Sequence, residues 1–137
     1  MALENVAYAL MQVLHNFGAV TVVGGAVFAL WAPGQPPVRE VQLARLLSLG
    51  WAVQIASGAG FGGVSYYYYG HLPDIHGVAV AALTTKIACA AAGLSLALLF
   101  QLRGARWNEA QRKLSWRALA VLAATALFAA AFLRWFS

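Results

Sequence analysis

Hydrophobic residues along the chain gather into four long runs that are separated by short polar segments. The runs lie at about Val6–Trp31, Leu46–Tyr67, Val78–Leu102 and Trp116–Phe136. Each is close to the roughly 20 mainly apolar residues that a helix needs to cross a bilayer. The pattern therefore predicts an all-α integral membrane protein, a four-transmembrane-helix bundle that forms one domain over residues 1–137.

Composition agrees with a membrane class. Of the 137 residues, 62% are hydrophobic and 9% are charged, whereas soluble domains carry about 25% charged residues. The sequence contains no Cys-x-x-Cys pair, no phosphate-binding loop and no Gly-x-Ser-x-Gly motif. Enzyme classes that depend on those motifs are therefore disfavoured.

The basic residues predict an orientation. Seven of the nine lysines and arginines lie in or beside the first and third connections, and the second connection has none. Loops rich in lysine and arginine stay cytoplasmic, so we expect both termini and the second connection to face the periplasm of a bacterium. The net charge of +5 then reflects topology in the inner membrane, with lipid and not nucleic acid as the partner.

Two ionisable residues fall inside the predicted spans. His15 and Lys86 lie in the first and third runs, which cross the membrane in the same direction. Each lies about 12–14 Å below the same membrane edge at helical rise, and intramembrane charges usually mark function. Met11 lies one turn before His15, on the same face. We predict a shared cofactor site of His15, Lys86 and Met11; the alternatives are a hydrogen-bonded core histidine and a lysine that snorkels to the interface.

The second connection holds the other two histidines in the segment YYYYGHLPDIHG, Tyr66–Gly77. Neutral histidine is the commonest metal ligand, so His15, His71 and His76 are the metal-ligand candidates. Asp74 is a candidate to orient one ring. We expect the loop to cover the site and to turn at least one imidazole toward the level of His15. The alternative is a hydrated interface loop in which the tyrosines form an aromatic belt.

A series of short motifs points to a family. In chain order they are Leu14-His15, Gly24-Gly25, Arg45, Ser57-Gly58, Lys86 and a basic segment from Arg103. This order resembles the membrane domain of the copper-resistance protein D family. The pairing of a first-helix histidine with a third-helix lysine is also similar to the HemJ-type protoporphyrinogen oxidases, which are expected to bind haem b. The resemblance implies a four-helix membrane fold with copper or haem b as the cofactor.

These observations lead to one functional hypothesis and two alternatives. The hypothesis is a small bacterial inner-membrane protein that binds or handles a copper ion or haem b near the periplasmic face. Enzymatic activity is left open, and a non-enzymatic role is favoured. The first alternative is a haem-b oxidase or electron-transfer subunit. The second is a non-catalytic accessory subunit that packs against other membrane proteins or against further copies of itself.

Overall fold

Four long α-helices follow the four predicted runs in a computed structural model that describes residues 2–32 and 34–137. The all-α prediction is confirmed, since those residues form no strand. The helices are α1 (Leu3–Trp31), α2 (Pro37–Tyr69), α3 (Val78–Arg103) and α4 (Glu109–Phe136), with a 3-10 turn at Gly104–Arg106 before α4.

Three helical segments of the described chain are long and apolar enough to cross a membrane. They are Leu3–Trp31, Val78–Arg106 and Glu109–Phe136, with mean hydropathies of 1.7, 1.7 and 1.9. Helix α2, which contains the remaining predicted span, does not reach that level. Its apolar residues are interrupted by glycine, serine and glutamine, and its first turns carry Arg39, Glu40 and Arg45.

Helices α2 and α4 begin about two turns or more before their apolar runs because local capping sets their ends. Helix α2 starts with Pro37 at its first position, where proline loses no hydrogen bond. Helix α4 starts with a capping box, in which the Asn108 side chain accepts from the Gln111 N–H at 2.8 Å and the Gln111 side chain accepts from the Asn108 N–H at 3.1 Å. The apolar runs therefore indicate which residues could lie within a membrane, whereas the capping residues determine where a helix begins.

The helices form a ring in which α1 and α3 each pack on both α2 and α4. Short connections make sequence neighbours antiparallel. Helices α1 and α3 therefore stand on one diagonal of the bundle, and α2 and α4 stand on the other. A side chain that joins α1 to α3 must cross the bundle interior.

Large apolar side chains fill the half of the bundle that contains the start of α2. The largest fully buried side chains are Trp51, Trp116, Phe100, Leu47 and Leu119. Gly93 on α3 allows the Trp51 ring to approach, since a Cβ there would lie 2.3 Å from Trp51 Cε2. Buried Gln54, Ser57 and Ser65 lie farther along α2, so the other half of the bundle is the polar half.

A carboxylate joins α2 to α4 across the second diagonal. Glu40 Oε1 accepts from Trp116 Nε1 at 3.1 Å, and Glu40 Oε2 lies 2.8 Å from Arg112 Nε. The latter contact is an ion pair, not an aligned hydrogen bond, because Arg112 Nε has no hydrogen-bond partner. Arg112 also donates through Nη1 to the Trp107 carbonyl. The side chains of Arg112 and Glu40 are only 14% and 16% exposed, so the cluster fixes the beginning of α4 against α2.

Replacing Glu40 by glutamine is expected to lower the free energy of unfolding by about 2 kcal/mol, since the charged acceptor for Arg112 is lost. Thermal unfolding in detergent, followed by circular dichroism, measures the change. Glu109→Gln is the control, because Glu109 is an exposed acidic residue at the start of α4. Equal effects of the two substitutions would contradict a stabilising role for the Glu40 cluster.

Candidate functional site

The imidazole of His15 joins three helices in the polar half of the bundle. Its Nδ1 lies 2.7 Å from Ser57 Oγ on α2, and its Nε2 lies 2.8 Å from Lys86 Nζ on α3. The structure thus brings His15 and Lys86 into direct contact across the α1–α3 diagonal. Their equal predicted depth in the membrane agrees with this contact.

The positions of the protons in this network follow from which of its groups can only accept a hydrogen bond. The Ser57 hydroxyl lies 2.6 Å from the Val53 carbonyl oxygen, which can only accept. The hydroxyl proton is used there, so Ser57 Oγ accepts a hydrogen bond from His15 Nδ1–H. His15 Nε2 then carries no proton and accepts from Lys86. The ring is a neutral imidazole whose bare nitrogen points at a second nitrogen.

Gln54 holds the backbone of α1 at the same level. Its buried side-chain amide donates to the carbonyl oxygen of His15. Gly18 makes room for this contact, since a Cβ there would lie 3.0 Å from Gln54 Nε2. Sequence reasoning missed Gln54 and missed the contact of Ser57 with His15. The two residues are three apart on α2, and this spacing on one helix face was the available signal.

Lys86 has no anionic partner in the part of the chain that the structure describes. The two ion pairs there are His76–Asp74 and Arg112–Glu40, and neither involves Lys86. Its one recorded side-chain hydrogen bond is to His15 Nε2. A lysine at membrane depth without a carboxylate is costly as an ammonium. The site therefore favours either a neutral amine or a ligand that compensates the charge.

An aromatic ring contacts the His15 imidazole, and a methionine lies one turn before His15 on α1. Met11, the third cofactor-site candidate, packs its sulfur against Gly60, where a Cβ would lie 2.3 Å from Sδ. The Phe61 ring meets the His15 ring edge-on, with centroids 5.7 Å apart, and Tyr8 stacks on Phe61 at 6.4 Å. The imidazole is therefore half-buried beside soft, largely apolar groups.

The loop histidines lie apart from this network. His71 is exposed and donates through Nδ1 to the Leu72 carbonyl at 2.9 Å. His76 pairs with Asp74 at 2.9 Å, and both side chains are more than 80% exposed. Residues 2–32 and 34–137 include no group of three His, Cys, Asp or Glu side chains arranged to hold a metal ion. The assignment of His71 and His76 as metal ligands stays a prediction.

The loop is nevertheless fastened to the helices. Ser65 donates to the His71 carbonyl at 3.0 Å, and the Tyr69 hydroxyl donates to the Glu4 carboxylate at the start of α1. This hydrogen bond, together with the negative charge of Glu4, raises the pKa of Tyr69, two residues beyond the predicted second span. The tyrosines at 66–69 are exposed, as an interface belt requires.

Comparisons with protein-family models, with curated proteins and with solved structures give no match. They support no family membership. The resemblances to the copper-resistance protein D family and to the HemJ-type oxidases rest on short sequence motifs and stay predictions.

Proposed function

We propose that the chain is a four-helix, multi-pass protein of the bacterial inner membrane that handles one metal ion at the His15–Lys86 pair, near the periplasmic face. The hydrogen bonds of the His15 ring are the main observation that supports this proposal. Its Nδ1–H is held by Ser57 while Nε2 is left with a free electron pair. Histidines that ligate metals almost always donate their other ring N–H to such a partner, which fixes the tautomer.

The distance between the two nitrogens suits a small ion. His15 Nε2 and Lys86 Nζ are 2.8 Å apart. Two nitrogen donors that each bind an ion at about 2.0–2.1 Å in adjacent positions lie about 2.9–3.3 Å apart. Binding would require the Lys86 amine to turn out of the line of the His15 Nε2 lone pair, so that both nitrogens face the ion. Met11 would supply a thioether from the preceding turn of α1.

Copper suits these donors better than other divalent metals. Binding requires that Lys86 lose a proton, so the metal must compete with protons for the amine. Cu(II) binds nitrogen sites most tightly in the first-row series, and Cu(I) favours thioether sulfur. The surrounding side chains would orient His15 and limit access of water.

The same residues fit haem b less well. Iron bound at His15 Nε2, like copper, would require Lys86 Nζ, 2.8 Å away, to leave the direction of the Nε2 lone pair, and a porphyrin would in addition need a wide, flat cavity beside that nitrogen. Two grooves on the described surface, one between α3 and α4 and one between α1 and α2, are lined by other residues, and neither includes His15. We therefore place copper ahead of haem b, and the haem-b oxidase alternative behind both.

Metal analysis of the purified protein, combined with its visible absorption spectrum, tests the proposal. We expect about one copper per chain after loading and washing, with no Soret band. A Soret band in the protein as isolated would instead support the haem alternative. If neither metal nor haem is retained, the metal proposal fails and the accessory-subunit alternative is favoured.

The proposed topology has its own test. The basic residues beside the first and third connections predict that both termini are periplasmic and that α2 is a span. Alkaline phosphatase, which is active only in the periplasm, should be active when fused after Ser137. A fluorescent protein that folds only in the cytoplasm should stay dark at the same position. The opposite pattern would contradict the proposed orientation.

A further inference from the structure

A groove of about 340 Å³ lies where the end of α1 meets the start of α2. Phe28, Leu43 and Leu46 give it an apolar floor. Its polar rim is formed by Gln35, Arg39, Glu40 and Gln42. Phe28 and Leu46 are about half exposed, so the floor continues onto the outer surface of the bundle. A molecule with a polar head and a hydrocarbon tail matches this division.

The rim carries a positive charge that the protein itself does not neutralise. Arg39 is exposed and takes part in neither ion pair of the described residues. The adjacent carboxylate of Glu40 is already engaged by Arg112 and Trp116. The charge of Arg39 is thus available to an external anion.

The groove also lies at the level where lipid headgroups are expected. Arg39 is in the first turn of α2, and the last residue of α1 is Trp31, which is 86% exposed. Tryptophan at the end of an apolar helix favours the membrane interface. Lipid headgroups and the rim would therefore lie at the same depth.

From these observations we propose that the groove binds an anionic phospholipid. The phosphate lies against Arg39 and the two glutamine amides, and one acyl chain lies along Phe28 and Leu46. The proposal requires that this end of the bundle lie at a membrane surface. It does not require that His15 bind a metal, so the two proposals can fail separately.

Phosphatidylglycerol and phosphatidylcholine with the same acyl chains, added to the purified protein in one detergent, test the proposal. The lipid dependence of the thermal unfolding midpoint gives an apparent affinity for each. We expect Arg39→Gln to weaken the binding of phosphatidylglycerol about fivefold. This corresponds to about 1 kcal/mol for one basic residue at the surface. Arg39→Lys should keep most of the preference. Arg103→Gln, exposed at the end of α3 and outside the groove, should leave it unchanged.

A second pair of variants tests the apolar floor. Phe28→Ala should weaken the binding of both lipids, because the acyl chain loses its contact with the ring whatever the headgroup. Phe17→Ala removes a more exposed ring, 69% against 56% for Phe28, from the same helix outside the groove and should weaken the binding of neither lipid. The proposal is overturned if Arg39→Gln binds phosphatidylglycerol like the unaltered protein, if Arg103→Gln loses as much, or if inorganic phosphate alone gives the same stabilisation.

Discussion

Replacing His15 by alanine is expected to lower the copper affinity of the purified protein by more than about 100-fold. The imidazole is the donor that the network orients best, since Ser57 holds Nδ1–H and Nε2 is left unprotonated, facing the Lys86 amine. Loss of an orienting partner alone costs about 10–100-fold, so loss of the ligand itself should cost more. Ser57→Ala should accordingly fall within the smaller range. Competition with a chromophoric copper chelator measures both.

A matched control separates this effect from a general loss of structure. Gln12 is an exposed polar residue on α1 whose side-chain amide donates to Asn16, and Gln12→Ala should bind copper normally. Thermal unfolding of each variant confirms that the helices are intact. If folded His15→Ala binds copper as tightly as the unaltered protein, the proposed site is wrong.

The double variant His71→Ala/His76→Ala addresses the loop. If copper affinity falls, the loop supplies a ligand, as the sequence predicts. If affinity stays unchanged while His15→Ala loses it, the loop is a surface and the site lies deeper. The exposure of both loop rings and the pairing of His76 with Asp74 favour the second result.

Copper affinity should also rise with pH, by up to about tenfold per unit while Lys86 is still protonated, because binding displaces its proton. Lys86→Leu keeps an apolar side chain at this position but has neither a proton to lose nor a donor atom for copper. Its affinity should be lower, and the part of the pH dependence due to Lys86 should disappear. An unchanged pH profile in Lys86→Leu would mean that Lys86 does not take part in binding.

Replacing Trp51 by alanine is expected to lower the free energy of unfolding by about 3–5 kcal/mol, the range for removing a buried aromatic ring. Trp51 is 1% exposed and lies against Gly93. Trp51→Phe should cost much less, because it keeps most of the ring and removes an indole N–H that has no hydrogen-bond partner. Trp135→Ala is the control, since Trp135 is 81% exposed.

Gly93→Ala tests the same contact from the other side. The added Cβ would lie 2.3 Å from the Trp51 ring, and overpacking of this kind costs about 1–3 kcal/mol. In the double variant Gly93→Ala/Trp51→Leu, the loss of stability should be smaller than the sum of the losses in the two single variants, because the smaller side chain makes room for the methyl group. Strict additivity in unfolding measurements would contradict this packing.

The four helices could be predicted because hydrophobic length is a local signal. The contact of His15 with Lys86 agrees with the depth predicted for the two residues, since the helical rise per residue places both at one level of the bundle. The partners of His15 on α2 could not be found in this way. Their position depends on how α1 and α2 rotate and align, which the apolar pattern of a half-exposed helix does not fix.

Other contacts required knowledge of the folded bundle. Glu40 and Arg112 are 72 positions apart and meet only because α2 and α4 face each other across the interior. From the sequence, Arg112 is one of the basic residues that predict orientation, and its pairing with Glu40 is not indicated. The directions of His71 and His76 could not be predicted either, because a loop around a proline has no repeating period that assigns its side chains to a face.

Nitrogen-15 NMR of the three histidine rings, before and after addition of copper(I), tests the metal proposal most directly. Metal-free His15 is expected to carry its proton on Nδ1, and its Nε2 is expected to have the shift of an unprotonated nitrogen. Copper(I) should then shift Nε2 of His15 and leave His71 and His76 nearly unchanged. A proton on Nε2 of metal-free His15, or a copper-dependent shift confined to the loop histidines, would contradict the metal proposal.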